Sequence, residues 1–349
     1  MTVSSQLMLE CMAHGNPVYL PSKFWEYHND RNRQQLETEG FENLKRTLAR
    51  NYFTWLIGRE DAQFKFLVRN TPLHAWPGLL AGALAYVPGT DLPRRAFASQ
   101  SLFTRMLWKF AESRDGEGLL KRLAEPAEGN PLPFRMGGKL ISQDLANSVL
   151  EYSAMREHFR PAQGTRPVIC ELGAGYGRDA YVFVQAVPGC RYVVVDIPPA
   201  LEVSQRYLTA VLPDRKVFGF RCFERFEDVR EEFEAADIAF LLPHQAAMLP
   251  SKSVDLFVNI SSLHEMTRDQ IQAYVDLIDR LTRGWFYSKQ WWVSHNNSDG
   301  VVIRQDEYPI PAHWRQLYLR EAPVQTYFFE AMYEVGSAAG GAHAAPDSQ

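Results

Sequence analysis

From residue 167 onward, short apolar runs alternate with segments whose apolar positions recur at helical spacing. The apolar runs are PVIC from residue 167, RYVVVDI from 191, DIAFLL from 237, VDLFVNI from 254 and WFYSKQWW from 285. The helical segments are 178–187, 199–211 and 268–283, and a further strand and helix are indicated within 218–235. Such alternation is typical of a parallel sheet covered by helices on both faces. The pattern therefore predicts an α/β protein with a mostly parallel, doubly wound sheet.

The chain before this α/β pattern is predicted to be helical. Ser22 can cap a helix that Gly40 ends. Apolar residues then recur at helical spacing at Phe41, Leu44, Leu48, Tyr52 and Leu56. Further helices are predicted at about 97–123 and from Leu140, and the segment 125–138 between them has the Pro and Gly density of a connector.

These segments divide the chain into three predicted parts. Residues 1–134 form a helical N-terminal region, and residues 135–335 form the α/β domain. The end, 336–349, is predicted to be a disordered tail because GSAAGGAHAAPDSQ is small and polar.

The composition of the chain limits the classes of ligand that it is expected to bind. The chain has 349 residues, 46% of them hydrophobic, and a net charge of −4, which gives no overall electrostatic reason to bind nucleic acid or an anionic membrane. The most apolar window, AWPGLLAGALAYVPG, is too short and interrupted to span a bilayer. The beginning of the chain lacks signal-peptide features, and its four cysteines form no C-x-x-C pair. We expect a cytoplasmic protein that binds a small molecule or glycan.

A glycine-rich turn is the strongest chemical signal. In ICELGAGYGRDAYVFV, residues 169–184, three glycines lie between a predicted strand and a predicted helix, where a ligand can approach a bare main chain. The dinucleotide fingerprint requires G-x-G-x-x-G, whereas the spacing here is G-x-G-x-G with Arg178 in place of the last glycine. The form E-x-G-x-G-x-G resembles motif I of class I S-adenosylmethionine (SAM)-dependent methyltransferases. The residues expected to contact the cofactor here are Glu171, Gly173, Ala174, Gly175 and Tyr176; a tight turn that binds nothing is the alternative.

Polar residues follow the next two predicted strands. Asp196 ends RYVVVD, where an acid can accept hydrogen bonds from both ribose hydroxyls of NAD or SAM, and Ile197 beside it is an expected cofactor contact. His244 and Gln245 follow the third apolar run, at the edge where methyltransferases usually contact adenine, and can donate or accept at the purine. The alternative for both is a solvated loop residue.

The segment VDLFVNISSLHEMTRDQ carries the candidate catalytic residues. It runs from a strand through Asn259, an expected cofactor contact, into a helix that Thr267 caps with Gln270. The S-L-H-E-M run resembles the L-H-D-W element of several small-molecule O-methyltransferases, whose histidine is the base. We therefore expect His264 to remove the acceptor's proton, oriented by Glu265. Packing against the cofactor or capping of the helix is the alternative role of this histidine.

Aromatic residues cluster late in the chain. In WFYSKQWW, a stacking wall for a sugar ring is predicted from Tyr287, Trp291 and Trp292, and Lys289 and Gln290 are predicted to bind hydroxyls. Because alternate residues of a strand face opposite sides, at most half of this cluster should contact substrate. The histidines and acids show no local metal-ligand spacing, so no structural zinc is predicted; a catalytic magnesium is compatible with the sequence, but no motif supports it.

Several segments together resemble the sugar O-methyltransferase family, and the resemblance extends from about residue 20 to about residue 292. The segments are PSKFWEYHNDRNRQQLETEGFENLKRTLARNYFTWLI, GGKLISQDLANSVLEY, ELGAGYGR, VVVDIPPAL, NISSLHEM and FYSKQWW. The resemblance implies a Rossmann-like class I methyltransferase fold, with SAM as methyl donor and a sugar hydroxyl as acceptor. By position it assigns cofactor contacts to Glu171, Gly173, Gly175 and Asp196, and the best catalytic position to His264. The N-terminal helices would then be a lid over the acceptor pocket or a subunit interface of a homo-oligomer.

Other functions remain compatible with the sequence. A SAM-dependent methyltransferase of a non-sugar metabolite, acting at oxygen, nitrogen or carbon, shares the same motifs. An NAD(P)-dependent oxidoreductase is disfavoured by Arg178. A non-catalytic relative that binds SAM or a partner is disfavoured by the presence of Asp196 and His264.

Overall fold

The structure, a computed structural model, describes residues 3–47, 61–88 and 90–336. The predicted helical positions Leu48, Tyr52 and Leu56, and the predicted tail from residue 337 onward, lie outside these ranges. The helices of the N-terminal region are α1 (Val3–Ala13), α2 (Lys23–Glu39), α3 (Leu44–Thr47), α4 (Asp61–Asn70), α5 (Trp76–Leu84), α6 (Arg94–Arg114) and α7 (Leu119–Arg122). A small hairpin, β1 (Arg135–Met136) and β2 (Lys139–Leu140), follows within and just after the predicted connector.

The remaining chain alternates strands and helices, as the sequence predicts. The strands of the main sheet are β3 (Val168–Leu172), β4 (Arg191–Val195), β5 (Val217–Phe218), β6 (Ile238–Leu241), β7 (Val254–Ile260), β8 (Thr282–Trp291), β11 (Arg315–Glu321) and β12 (Phe328–Glu334). The helices are α8 (Gln143–Arg156), α9 (Arg178–Ala186), α10 (Ala200–Val211), α11 (Arg230–Ala235), α12 (Pro243–Ala246) and α13 (Arg268–Leu281), and a separate hairpin pairs β9 (Val293–Asn296) with β10 (Val301–Arg304).

The eight-stranded sheet has the order β11-β12-β8-β7-β3-β4-β6-β5. Neighbours from β5 to β8 are parallel, whereas β12 runs antiparallel to β8 and to β11. The first strand of this sheet, β3, lies near its middle, and β4, β6 and β5 extend the sheet on one side of it. The chain then crosses to the other side of β3, where it forms β7 and β8. This is the expected Rossmann-like, mostly parallel, doubly wound fold. Its antiparallel edge was not predicted from the sequence.

Apolar side chains on the two faces of the sheet form two clusters. Along β4, Tyr192 and Val194 pack in one cluster, whereas Val193 and Val195 pack in the other. Both faces of the strand are buried because helices cover both sides of the sheet, which explains the nearly continuous apolar runs.

The N-terminal helices share a hydrophobic core with the α/β region. Leu67 of α4 and Met106 of α6 belong to the same cluster as Val149 of α8 and Phe183 of α9. The core is therefore continuous across the predicted boundary between residues 134 and 135.

Helix caps follow the sequence closely. The Ser22 hydroxyl accepts from the N–H of Trp25 at 3.5 Å at the start of α2, and Gly40 ends this helix with a φ of +78°. Thr267 and Gln270 form the predicted capping box of α13. Among the described residues, no helix has the length and apolar character needed to cross a membrane.

Candidate active site

A cavity of about 370 Å³ opens where the strand order of the sheet reverses. From β3 and β7 the chain leaves in opposite directions across the sheet, so a crevice remains above their carboxyl ends. The cavity is lined by Leu172 at the end of β3, Ile260 at the end of β7, Asp196 just after β4 and Trp291 at the end of β8. Its position and volume are those of a small-molecule site.

The glycine turn between β3 and α9 forms one wall of this cavity, through Gly173, Ala174, Gly175 and Tyr176. Gly173 and Gly175 have φ values of +76° and +58°, which L side chains rarely adopt. A Cβ on Gly173 would lie 2.4 Å from the Oγ of Ser262. The turn therefore keeps its main chain bare beside the cavity, as the spacing of the glycines predicts.

Asp196 bridges the glycine turn and the strand that follows it. Its Oδ2 accepts from the N–H of Gly175 at 2.8 Å, and its Oδ1 accepts from the N–H of Ile197 at 2.7 Å. Burial raises the pKa of Asp196 to about 7, the two backbone hydrogen bonds oppose this rise, and the charge of Glu265 adds to it. Each carboxylate oxygen keeps a further lone pair for a ligand hydroxyl.

Glu171 lies at the base of the turn and also lines the cavity. The Tyr192 hydroxyl donates to its Oε2 at 2.7 Å. Burial, and then the charge of Asp179, raises the pKa of Glu171 well above its usual range, so its carboxyl group can donate as well as accept. Among the described residues, no group of three or more His, Cys, Asp or Glu side chains is placed to hold a metal ion.

Arg178, which stands where the dinucleotide fingerprint has its last glycine, is held by α8. Its Nη1 donates to the Oγ of Ser148 at 2.8 Å and to Oε2 of Glu151 at 2.5 Å. The other oxygen of Glu151 accepts from Nζ of Lys289 at 2.7 Å. This buried ion-paired cluster ties α9 and β8 to α8.

Lys289, the predicted partner of an acceptor hydroxyl, lies in this cluster. Lys289 is 3% exposed, does not line the cavity, and also donates to Oε1 of Gln325 at 2.5 Å. Its ammonium is committed to the buried cluster because an uncompensated charge would be costly there. Direct binding of an acceptor hydroxyl by Lys289 stays a prediction.

Asn259, Gln290 and His264 form a chain of hydrogen bonds. Backbone contacts of Asn259 determine which atom of each side chain donates and which accepts. Nδ2 of Asn259 donates to the carbonyl of Leu172 at 2.9 Å, and its Oδ1 accepts from the N–H of Leu263 at 3.1 Å. Because this Oδ1 also faces Gln290, it is Nε2 of Gln290 that donates to it, at 2.6 Å. Oε1 of Gln290 then accepts from the backbone N–H and from Nδ1 of His264, at 3.3 and 2.9 Å. Nδ1 of His264 must therefore carry a proton.

This chain of hydrogen bonds contains Asn259 and Gln290, for which the sequence predicts direct ligand contacts. Both side chains are fully buried, and neither lines the cavity. Their polar atoms are satisfied by each other, by the backbone and by His264, so they orient the imidazole instead of meeting a ligand.

Nε2 of His264 is the nitrogen left to gain or lose a proton. It has no hydrogen-bond partner within the described part of the chain and lies 3.4 Å from Oε1 of Glu265. This carboxylate would stabilise an imidazolium. His264 and Glu265 are buried and do not line the cavity, whereas Ser262, Met266 and Trp291 do. The two candidate catalytic residues thus lie one layer behind the cavity wall.

His244 and Gln245, the predicted adenine contacts, are buried and do not line the cavity. Sγ of Cys11 in α1 lies 4.0 Å from Nε2 of His244, and a Cβ on Gly15 would lie 2.7 Å from the imidazole ring. Gln245 is fully buried, and its Oε1 accepts from the backbone at the start of its own helix at 3.0 Å. Of this segment, Pro243 lines the cavity.

Of the late aromatic cluster, Trp291 lines the cavity, and its buried Nε1 has no hydrogen-bond partner in the ranges that the structure describes. Tyr287 lies lower in β8 and donates to Oε2 of Glu330 at 3.0 Å. Trp292 packs on Phe329 with ring centroids 5.6 Å apart. Of the three residues in the predicted stacking wall, Trp291 lines the cavity, and Tyr287 and Trp292 do not.

Comparison with curated proteins gives a match over a part of the chain. Over 76 residues the chain is 34% identical to acetylserotonin O-methyltransferase of Bos taurus. The match covers 22% of this chain and 21% of that enzyme, so the chain spans about a fifth of the length of this curated relative. No protein-family model matches the chain.

Solved structures similar to the chain include several methyltransferases. A SAM-dependent methyltransferase of Leishmania major has a TM-score of 0.38 at 15% identity, covering 65% of this chain and 82% of its own. The 1,6-didemethyltoxoflavin N1-methyltransferase of Burkholderia thailandensis has a TM-score of 0.36 at 14% identity, covering 55% and 77%. A SAM-dependent methyltransferase of Aquifex aeolicus has a TM-score of 0.34 at 12% identity, covering 53% and 89%.

Sequence reasoning missed the cavity residues that come from outside the α/β domain. They are Tyr19, Leu20, Pro21, Ser22 and Trp25 of the N-terminal region. Within the α/β domain, sequence reasoning also missed Met266 just before α13, and Gln270 and Tyr274 on α13, as cavity residues. The local signal around Ser22 predicted a helix start, but no periodicity in one segment reveals which distant segment it packs against. The N-terminal region was therefore expected only as a lid or an interface.

Proposed function

We propose that the protein is a SAM-dependent O-methyltransferase that transfers a methyl group to a hydroxyl of a sugar. The main support is the hydrogen bond between the Gly175 N–H and the Asp196 carboxylate beside the cavity at the strand-order reversal. It joins a bare main-chain turn to a buried acid of the adjacent strand. These are the two features needed to hold the amino-acid and ribose parts of SAM.

The residues of the cavity fit this cofactor. Asp196 retains lone pairs for two ribose hydroxyls. The close approach of Ser262 to Gly173 excludes a side chain from the turn, so the ligand meets backbone there. When bound, SAM supplies an electrophilic methyl group on its sulfonium. The protein has to align the acceptor hydroxyl and receive its proton.

Two observations disfavour NAD(P). Arg178 replaces the last glycine of the dinucleotide fingerprint and is committed to Glu151. Beyond β8 the sheet also continues with the antiparallel strand β12 and ends in β11, whereas the dinucleotide fold continues with parallel strands.

We propose His264 as the base. With Nδ1 protonated by its bond to Gln290, Nε2 takes the hydroxyl proton as the new carbon–oxygen bond forms, and Glu265 balances the imidazolium charge. The imidazole centroid lies 6.0 Å from the ring of Trp291. The acceptor hydroxyl therefore has to reach Nε2 past Trp291, and repositioning of this indole is part of the proposal.

Methylation of a non-sugar metabolite is the second candidate. The cavity wall includes the aromatic side chains of Tyr19, Trp25, Tyr274 and Trp291, which suit a flat apolar acceptor as well as a sugar ring. The curated relative matched over 76 residues is named for a non-sugar acceptor, and its name supports transfer to oxygen. The sugar itself is supported by the family resemblance of the flanking segments.

Thermal unfolding with S-adenosylhomocysteine (SAH) and with NAD⁺ tests the cofactor. SAH at 100 times its dissociation constant should raise the free energy of unfolding by about 2.7 kcal/mol, and NAD⁺ should have no effect. Stabilisation by NAD⁺ alone would reject the methyltransferase assignment. An acceptor screen with labelled SAM then compares sugars with phenols and amines, and faster turnover of a sugar-free acceptor would favour the second candidate.

The base is tested with His264→Ala and the control His295→Ala, which changes an exposed histidine of β9. His264→Ala should bind SAH as the wild type does and lose about 100-fold or more in kcat. His295→Ala should keep both properties. Near-normal turnover of His264→Ala would assign this histidine to packing.

A further inference from the structure

One wall of the cavity comes from residues 19–25, which we call the N-terminal wall segment. Tyr19, Leu20 and Pro21 line the same cavity as Asp196 and Pro243, which follow β4 and β6. If Asp196 holds the ribose, the nucleoside extends from β3 toward β6. The N-terminal wall segment lines the cavity that this nucleoside would enter.

An aromatic pair marks this position. The ring of Tyr19 packs against that of Tyr274 in α13, with centroids 5.3 Å apart and a 50° angle between the planes. Burial, then Tyr19, then the Asp196 carboxylate raise the pKa of Tyr274, which is consistent with a phenol near the ribose-binding acid. Both tyrosines line the cavity and offer apolar ring surface to a purine.

Hydrogen bonds to α13 and to the turn before it fix the first part of the segment. Nε2 of Gln270 donates to the carbonyl of Leu20 at 2.7 Å. The Ser22 hydroxyl donates to the carbonyl of Glu265 at 3.3 Å. Oε1 of Gln270 accepts from the N–H of Thr267 in the capping box of α13, which orients the amide for the bond to Leu20.

A second anchor holds the start of α2. The carboxylate of Asp299, in the turn between β9 and β10, accepts from the N–H groups of Lys23 and Phe24 at 3.1 and 3.2 Å. Nδ2 of Asn296 donates to the same carboxylate at 2.8 Å. A negative charge at a helix N-terminus is favourable, so this contact fixes both the position and the direction of α2.

The helix α1 covers the neighbouring edge of the sheet independently. Its Cys11 and the following Gly15 pack on His244, just after β6. Two separate parts of the N-terminal region thus cover the side of the sheet that carries Asp196 and Pro243.

We propose that the N-terminal wall segment is part of the cofactor site, where Tyr19 and Tyr274 form the aromatic wall against which the adenosine of SAM packs. This inference rests on the proposed function. It places the N-terminal region over the nucleoside, where the sequence led us to expect a lid over the acceptor or a subunit interface. Cofactor binding and docking of the segment then stabilise each other, because the nucleoside buries Tyr19 only when the segment is docked.

Isothermal titration calorimetry with SAH tests the proposal on the full chain. Tyr19→Ala should raise the dissociation constant of SAH by about 10-fold or more, because buried aromatic surface is lost. The matched control is Tyr27→Ala on α2, whose side chain is 58% exposed and outside the cavity, and it should leave the constant unchanged. Gln270→Glu keeps the oxygen that caps α13 but cannot donate to Leu20, so it should weaken SAH binding by about 3-fold or more.

Hydrogen exchange gives a second measurement that needs no variant. The amides of residues 17–25 in the wild type should exchange more slowly when SAH is bound. Wild-type affinity in Tyr19→Ala, or unchanged exchange of these amides in a wild type that binds SAH, would overturn the wall assignment and leave the methyltransferase proposal intact. A wild type that binds no SAH would overturn the proposed function itself.

Discussion

At the scale of single residues, the chemistry of His264 is set by partners far from it in the chain. Leu172 at the end of β3 orients Asn259, Asn259 orients Gln290, and Gln290 selects the protonated nitrogen of the imidazole. Each link is a donor facing an acceptor, and reversing any amide would place like groups against each other. The same β3 carbonyl lies one residue before Gly173, so this chain also links the candidate base to the glycine turn.

Substitution of Gln290 should change the tautomer of His264. With Gln290→Leu the Nδ1–H loses its acceptor, so neutral His264 should populate both tautomers; Gln290→Glu keeps an acceptor and should keep the wild-type tautomer. Nitrogen-15 NMR of labelled histidine distinguishes protonated from unprotonated ring nitrogens, and His264→Gln identifies the signals. A wild-type spectrum with the proton on Nε2 and none on Nδ1 would contradict the assignment.

The raised pKa of Asp196 makes a pH-dependent affinity expected. A ribose hydroxyl donates best to an ionised carboxylate, and Asp196 ionises only as pH rises through about 7. The dissociation constant of SAH should therefore fall by up to about 10-fold between about pH 6 and pH 8. Titration calorimetry across this range checks it, with Asp196→Asn as a variant that should show weak, nearly pH-independent binding. Weaker wild-type binding at the higher pH would contradict this role.

The raised pKa of Asp196 should make the free energy of unfolding fall as pH rises, whereas it should make the affinity for SAH increase. The folded state holds the Asp196 proton more tightly than the unfolded chain, so the stability it contributes is present at low pH and is lost as pH rises through about 7. Denaturant unfolding between about pH 4 and pH 7, where the folded and unfolded states differ in protonation of Asp196, should show a smaller loss of stability for Asp196→Asn than for the wild type.

At the scale of secondary-structure elements, α8 is the support of the site. Along its buried face, Ser148 and Glu151 hold Arg178 at the start of α9, and Glu151 also holds Lys289 of β8. Tyr176 of the glycine turn donates to Oδ2 of Asp144 on the same helix at 3.0 Å. One helix thus positions both the turn and the strand that carries Trp291.

Lys289→Met separates the two roles considered for this lysine. Loss of one partner of the buried pair should lower the free energy of unfolding by about 3 kcal/mol, while the KM for the acceptor stays within about 2-fold of wild type. Denaturant unfolding and steady-state kinetics measure the two effects. A large increase in KM with unchanged stability would restore the direct contact with the acceptor. Lys109→Met, at an exposed pair on α6, is the control and should change stability little.

At the scale of the whole molecule, the N-terminal region and the α/β region behave as one packed unit. Phe97 of α6 packs against Phe134 with ring centroids 5.1 Å apart, and both belong to the cluster that includes Phe183. Lys45 of α3 makes a buried ion pair with Glu125 and donates to the Tyr207 hydroxyl of α10 at 2.9 Å. Apolar and polar contacts therefore cross the boundary that the composition suggested.

Heat should unfold the described regions in one cooperative transition. Removal of the N-terminal helices would expose the part of the core that they share with α8 and α9, so neither region should melt separately. Differential scanning calorimetry should give equal calorimetric and van't Hoff enthalpies, and SAH should raise the temperature of the single peak. Two resolved peaks, with only the later one shifted by SAH, would show that the regions are independent.

The sequence by itself determined the features that depend on local physics. Strand and helix order follow from apolar spacing, the ends of α2 and α13 follow from Ser22, Gly40 and Thr267, and the glycine turn follows from a backbone that excludes Cβ atoms. The location of the cavity followed as well, because parallel strands bring their carboxyl ends to one edge. The sequence did not predict the antiparallel pair β11 and β12. Strand pairing at the edge of a sheet depends on the partner strand, and neither strand's own sequence reveals that partner.

Only the tertiary structure decided which polar groups face a ligand. The sequence of Lys289, Gln290 and Asn259 does not tell whether each side chain meets a ligand or a protein group, and in the structure each is buried beside a complementary protein group. It also decided that Tyr19 reaches the cavity from outside the α/β region. The physical reason is that periodicity and capping act over a few residues, whereas hydrogen-bond satisfaction and packing join residues that are far apart in the chain.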